Sequence, residues 1–206
     1  ARVDLVMVAS SVALDFVTRN RSLLWPNTPV VYYGVSDRRI EGKSFDADVG
    51  GLTIHFDVAG TLALAMQLQP NATHIVYVGG AAKYDQVFEP LFQEAMQPHA
   101  SQYRVTKLIG LPLATLTQEL ARLPVDSIVL DTSMFLDQTG ERYVPADVAR
   151  SLSESSTAPI YGVFGSHLGD GILGGSVVDF EEHGKLAGLR GHGSGRGADA
   201  RKRLRG

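Results

Sequence analysis

The stretch that most constrains this chain is Thr73–Asp85, THIVYVGGAAKYD. Four β-favouring residues, Ile75 to Val78, run straight into two glycines and two alanines, and a charged, amphipathic segment from Lys83 to Met96 follows. This is the pattern of a buried strand that turns sharply into a helix. The same grammar recurs at Val3–Phe16, Thr28–Asp37, Val125–Phe135 and Ala158–Gly171. Each run is short and apolar, and each ends abruptly in Ser, Gly, Asp or Thr. In an open parallel sheet such ends line up along one edge, where α/β proteins hold their ligands. The functional groups are therefore expected at five strand ends.

Between these runs the elements alternate. Val3–Ala9 predicts a strand, with Ser10 or Ser11 capping a helix over Val12–Leu24 that Pro26 ends. Thr28–Tyr33 predicts the next strand, closing at Gly34. Ser36–Gly51 reads as a loop, Leu52–Phe56 as a short edge strand, and Asp57 as the N-cap of a helix reaching Leu68. After Gln69-Pro70-Asn71, a lobe boundary, comes a β-α-β-α-β run: strands His74–Val78, Tyr103–Ile109 and Ser127–Asp131, with helices Tyr84–Met96 and Pro112–Leu123 between them. Leu113, Leu116, Leu120 and Leu123 form the apolar stripe of a helix lying on a sheet. Helix Pro145–Leu152 and strand Pro159–Phe164 follow. Five glycines between Gly165 and Gly175 suit a crossover back to the first lobe, where Val177-Val178 and the segment after Phe180 supply a last strand and helix. The expected domains are 1–70, a partial first lobe; 71–171, the second lobe; 172–188, the return; and 189–206, a disordered basic Gly/Arg tail.

Composition narrows the function classes. With 206 residues, 44% of them hydrophobic, there is material for one α/β domain or two small lobes. Residues 1–190 carry fourteen Lys/Arg against twenty-one Asp/Glu, a charge of −7, while five of the basic residues fall after Gly191. An acidic body argues against a nucleic-acid partner. The absence of cysteine excludes thiolate chemistry and a disulfide framework. No apolar run is long enough to span a membrane. The chain opens at Ala1 and is in strand by Val3, the pattern of a mature or excised piece.

Three kinds of chemistry can be weighed against plain packing. Ser10, Asp131 and His167 stand at strand ends in the order of a hydrolase triad, but VASSVAL lacks the glycines of a nucleophile elbow. The other histidines, 55, 74, 99, 183 and 192, show no ligand spacing, so no metal is expected. Gly79-Gly80-Ala81-Ala82 allows either tight strand-to-helix packing or a backbone-amide contact to a ligand, and it matches no phosphate-loop motif. Tyr84, Phe135 and Phe164 beside the same edge suit either core packing or the apolar walls of a small-molecule cleft. None of these requires bond-breaking chemistry. Asp85 and Asp131 at the rim suit an amine and the amides near Gly80 a carboxylate, so the polarity fits an amino-acid-like or aromatic-acid ligand.

TPVVYYGV, FDVAGTLALAMQLQP, HIVYVGGAAKYD, LPVDSIVLDTSMFLDQTGERYVPADVARSLSESSTAPIYGVF and HLGDGILGGSVVDFEEHGKLAG, in that order, resemble the periplasmic-binding-protein type I fold. Within it they look most like the substrate-binding-protein-like sensor regions of bacterial sensor histidine kinases, relatives of ABC-transporter solute-binding lipoproteins. The resemblance spans about Asp4 to Gly188. It implies an α/β architecture of two Rossmann-like lobes, with parallel sheets and flanking helices, joined by hinge crossings. A small organic ligand would bind between the lobes, and closure would be the signal. Matching positions place ligand contacts at Ser10, Ser11, Gly34 and Val35, and at Ala81, Ala82, Tyr84, Asp85, Asp131, Thr132, Phe135, Phe164 and His167. It further implies a non-catalytic module without cofactor, on the periplasmic side of the inner membrane, partnered by a membrane-spanning kinase or an ABC permease. Family members carry about two further βα units before the position of Val3, so the first lobe reads as incomplete. A solute-binding component of an importer is the alternative, and an α/β hydrolase or transferase the reading from another class.

Overall fold

Each of the five apolar runs that end in a sharp turn folds as a strand, and all pairings between the strands are parallel. The structure, a computed structural model, describes residues 3–194. In chain order the elements are β1 (Val6–Ala9), α1 (Ser11–Leu24), β2 (Val30–Ser36), α2 (Asp37–Ile40), β3 (Val49–Ile54), α3 (Val58–Leu68), β4 (His74–Gly79), α4 (Phe88–Met96), β5 (Arg104–Ile109), α5 (Leu113–Leu120), β6 (Ser127–Asp131), α6 (Pro145–Ser155), β7 (Ile160–Gly162) and α7 (Phe180–Ser194). They divide into two units, one of residues 1–55 with 179–206 and one of residues 56–178.

The first unit is a three-stranded sheet in the order β1-β2-β3. Helix α1 lies on β1 and β2, and α7 on β2 and β3. Val8, Leu14, Val17, Val30, Tyr32 and Val35 form its core. Arg21 pins the end of α1 to the start of β3, with its guanidinium on both oxygens of Asp48, at 2.9 and 2.5 Å, and on the Thr28 carbonyl at 3.0 Å. Among the described residues β1 pairs on one side only, and its Met7 is 47% exposed.

The second unit is a four-stranded sheet in the order β5-β4-β6-β7. Helix α3 packs with α4 and α5 with α6. Because side chains alternate along a strand, Val76, Val78 and Val129 meet Leu116, Leu120, Val148 and Leu152 in one cluster, while Tyr77 stacks its ring 4.8 Å from that of Phe92. Strands β4, β6 and β7 are buried at every position, as parallel strands covered on both faces must be. At the starts of the strands His74 ties three of them together. Its Nδ1 accepts from Arg104 Nη2 at 3.0 Å and lies 3.0 Å from the Ser127 hydroxyl, and its Nε2 lies 2.9 Å from the Thr106 hydroxyl.

The structure corrects several expectations. The second unit begins at Phe56 rather than at residue 71, because α3 buries Leu62 and Ala65 and packs on α4, β6 and β7. Pro70 follows the end of a helix within the unit and marks no domain boundary. Ser36–Gly51 is not all loop, since it contains α2 and the start of β3. The glycine-rich run does not cross back at residue 171. It stays beside β7 through Leu173 N to Ile160 O, Gly162 N to Gly174 O and Gly165 N to Val178 O, at 2.7, 3.0 and 2.9 Å. Val177-Val178 makes a single bridge, Phe164 with Val178, and no strand. Helix α7 continues through residues 189–194, assigned above to the tail; the rest of that tail, 195–206, lies outside the described residues.

Candidate functional site

In the second unit the ends of β4, β6 and β7 are neighbours in the sheet. The segment after each end carries chemistry-bearing residues: Ala81, Ala82, Tyr84 and Asp85 after β4, Thr132, Ser133 and Phe135 after β6, and Phe164 and His167 after β7. The sequence expectation thus gathers nine of its positions, counting Asp131 at the tip of β6, along one edge.

Asp85 organises the first two of these segments. It is 1% exposed, and its carboxylate accepts from the Ser133 hydroxyl at 2.7 Å, Ala82 N at 3.0 Å and Phe135 N at 3.1 Å. Burial raises its pKa against the pull of those donors. Gly80 allows the approach: a Cβ there would collide with the Asp85 carboxylate and stand 2.9 Å from the Met134 Cα. The three backbone amides suited to an anion are all engaged, Gly80 N with Ser133 O at 2.8 Å, Ala81 N with Leu136 O at 2.7 Å and Ala82 N with Asp85. Of the two readings of Gly79–Ala82, close packing accounts for the geometry. Asp85 is an internal acceptor that spans two loops, not a carboxylate at an open rim.

Asp131 and His167 join the other two segments. Asp131 Oδ2 lies 3.0 Å from His167 Nδ1, and each side chain is 2% exposed. Burial raises the Asp131 pKa, opposed by its bond to His167 and assisted by the negative charge of Asp85. Thr132 turns its hydroxyl inward, donating to the Val78 carbonyl at 3.0 Å. Ser10, the third member of the candidate triad, belongs to the first unit.

The aromatic residues form a connected set. Phe135 and Tyr84 meet edge to face at 5.7 Å, Tyr84 meets Phe88 at 5.8 Å, and Phe88 meets Phe56 and Phe164 at 4.9 and 5.4 Å. Phe164 in turn lies 5.3 Å from the His167 ring. Phe56, Phe88 and Phe164 are buried, Tyr84 is half-buried, and Phe135 remains 45% exposed. Burial pushes the Tyr84 hydroxyl up to about 12, with Asp85 adding to the shift, so it is a neutral donor at physiological pH. Sequence reasoning missed Phe88, Phe56 and Ser133 as members. Phe88 stands one helical turn after Tyr84, which was the available signal.

In the first unit Ser10 follows β1 and Gly34 lies within β2, with Ser10 N donating to Tyr33 O at 3.1 Å. Ser10 caps α1 without a side-chain hydrogen bond, at φ 80° and ψ 158°, a backbone region otherwise left to glycine. Gly34 has φ 63°. Ser11 opens α1 and is half-buried, whereas Val35 is fully buried in the core, so its side chain has no face to offer.

No family model matches the chain, and no curated protein matches its sequence. Solved structures do. A conserved domain protein from Vibrio cholerae superposes with a TM-score of 0.64 at 17% identity, covering 96% of this chain and 66% of that one. The ABC domain from Streptococcus pneumoniae in complex with L-Trp gives 0.63, 17%, 96% and 67%, and a ligand-free, open substrate-binding protein with adhesive properties from Clostridium difficile gives 0.61, 17%, 96% and 66%. The chain therefore spans about two thirds of their length. With parallel sheets flanked by helices in both units, it shares the α/β fold of these solved structures.

Proposed function

We propose that this chain is an extracytoplasmic small-molecule-binding domain that serves as the sensor region of a two-component sensor histidine kinase, with closure on the ligand as the signal. The observation that carries the binding reading is the strand-end edge of the second unit. There Asp85, Ser133 and the loop amides are spent on holding the loops in place, while the Phe135 ring stays open to solvent beside the half-buried Tyr84. A rigid, internally satisfied frame presenting exposed aromatic surface suits a planar organic ligand. The candidate contacts in this unit are Tyr84, Phe135, Phe164 and His167.

The alternative, a solute-binding component of an ABC importer, is favoured by the fold shared with the Streptococcus pneumoniae and Clostridium difficile proteins. A gene that continues into a membrane span and kinase core supports the sensor, and one beside a permease gene supports the importer. The hydrolase or transferase reading is less well supported, since the hydroxyls next to Asp131, those of Thr132 and Ser133, already donate to Val78 O and Asp85.

The test is a thermal-shift screen against amino acids, aromatic acids, sugars and purines. A ligand at one hundred times its dissociation constant stabilises the native state by about 2.7 kcal/mol, or roughly 5–10 °C for a domain of this size. A cooperative melt that no class of compound moves would overturn the reading.

A further inference from the structure

The outer strands of the two sheets are protected unequally. In the second unit β5 carries Arg104 and Lys107, engaged with His74 and Glu89, and β7 is covered by the glycine-rich run through the Leu173 N and Gly162 N bonds. In the first unit β3 pairs with β2 through a register shift between Tyr32 and Val35. Charge, cover and irregularity are the means by which a sheet edge is kept from pairing. Among the described residues β1, Val6-Met7-Val8-Ala9, has none of the three.

The backbone of β1 is set for a further strand. Val6 N donates to Pro29 O and Ser10 N to Tyr33 O, so Val6, Val8 and Ser10 turn their peptide groups toward β2. By alternation, Met7 and Ala9 direct their N–H and C=O groups to the open side. The side chains beside that edge are apolar. Asp15 meets Arg39 at 3.4 Å and Lys43 at 3.2 Å, in the segment that follows β2, which turns that flank of α1 toward the inner strands. The opposite flank, Ala13, Phe16, Asn20 and Leu24 at helical spacing, overlooks the open side of β1. Phe16 and Leu24 are 51% and 47% exposed there, and Met7 is exposed on the other face of the strand.

We propose that this edge is the pairing surface for a second copy of the chain. A two-fold axis beside Val8 runs β1 antiparallel to its counterpart, so that Met7 and Ala9 of each copy exchange N–H···O bonds with Ala9 and Met7 of the other. The two three-stranded sheets become one of six strands, and Phe16 and Leu24 from both α1 helices close over the seam. None of the residues used is charged, so no like charges meet across the axis and the surface is complementary to itself. Strand edge, helix flank and the Met7 side chain bury on the order of 600 Å² per copy, about 1,200 Å² in all, the lower end of the range for specific pairs. The dimer is therefore a reversible one. It does not depend on the ligand reading above.

Sedimentation equilibrium of the whole chain from about 1 μM to about 1 mM tests the pairing, with a concentration-dependent monomer–dimer equilibrium as the expected result. Across that range the Met7 and Ala9 amide hydrogens are expected to slow at least tenfold in exchange. Ala9→Pro removes an N–H that β2 does not use, and Phe16→Glu sets like charges across the axis. Each is expected to weaken association at least tenfold, whereas Val125→Glu, at an 84% exposed position of the second unit, leaves it unchanged. Phe16→Glu alters an exposed side chain alone, so the test stands even if Ala9→Pro does not fold. A chain that is monomeric at about 1 mM overturns the proposal and leaves the edge to an unlike partner. A dimer that Phe16→Glu leaves intact, or whose Met7 and Ala9 amides exchange as fast as in the monomer, overturns it as well, because another surface then makes the contact.

Discussion

The two units are written in the same strand-then-helix grammar, yet they enclose their strand ends very differently. In the second unit β4 has a strand on each side and helices over both faces, and burial continues past its last residue into Gly80 and Asp85. In the first unit, among the described residues, β1 has a neighbour on one side only, its residues alternate in and out of solvent, and Ser10 beyond it is half-buried. The lesson is that identical local patterns yield a locked polar network or a strained, open turn according to how many neighbours the strand acquires. Where coverage is complete, every donor at the strand end must find a partner inside the chain, and Asp85 satisfies three of them. Where it is partial, the turn at Ser10 keeps an unfavourable backbone conformation without a capping bond.

The sharpest test of this contrast is Leu120→Ala. Leu120 is fully buried in the α5–α6 cluster, and its truncation is expected to cost about 4 kcal/mol in urea unfolding. A loss of under about 1 kcal/mol would mean that the second unit is not the better packed. Next comes Asp85→Ala, which strands the buried Ser133 hydroxyl and two part-buried amides and should cost about 3 kcal/mol. If thermal melts show Asp85→Ala to be as stable as the parent, the loops do not depend on it.

Ser10→Gly goes the other way. Relief of the positive φ, less the greater freedom of glycine in the unfolded chain, is expected to stabilise the first unit by about 1 kcal/mol. Should Ser10 contact ligand through its hydroxyl, the same variant will bind more weakly while melting higher.

His74 supplies a pH-dependent probe of the second unit. Burial and then the Arg104 charge hold its pKa below the ordinary 6.5, so the folded state prefers the neutral ring. The stability this contributes is complete above about pH 6.5 and drains as the pH falls below it, with a slope of at most about 1.4 kcal/mol per pH unit. His74→Gln is expected to flatten that acid limb in denaturant midpoints taken from pH 7 to pH 5. The smallest effect belongs to Met7→Thr at the exposed position of β1, expected within about 0.5 kcal/mol of the parent.

Much of the architecture was legible because it rests on short-range physics. Runs such as Ile75–Val78 and Ile128–Leu130 are too apolar to lie anywhere but in a covered parallel sheet, and Asp57 caps α3 as its position predicts, accepting from Gly60 N at 2.8 Å. Unit boundaries were less legible, since a proline after a helix is equally at home inside a unit and between units. Nor does spacing show that Phe56 and Phe88, thirty-two positions apart, stack at 4.9 Å.

The sequence by itself determined the parallel α/β class, the strand ends at which polar and aromatic residues accumulate, and the lack of thiol chemistry. These follow from hydrophobic periodicity, from the few residue types that tolerate sharp turns, and from composition. Only the tertiary structure decided which of those polar groups are spent and which are left. Asp85, Thr132 and the amides of Gly80 to Ala82 look like ligand contacts in a linear reading, but strand order brings Ser133, Val78 and Leu136 within hydrogen-bond reach of them. His167 is a lone histidine in the sequence, and the pairing of β6 with β7 carries Asp131 to within 3.0 Å of its Nδ1. The physical reason is that a hydrogen bond saturates: whether a donor or acceptor can serve a ligand depends on partners that lie tens of residues away along the chain.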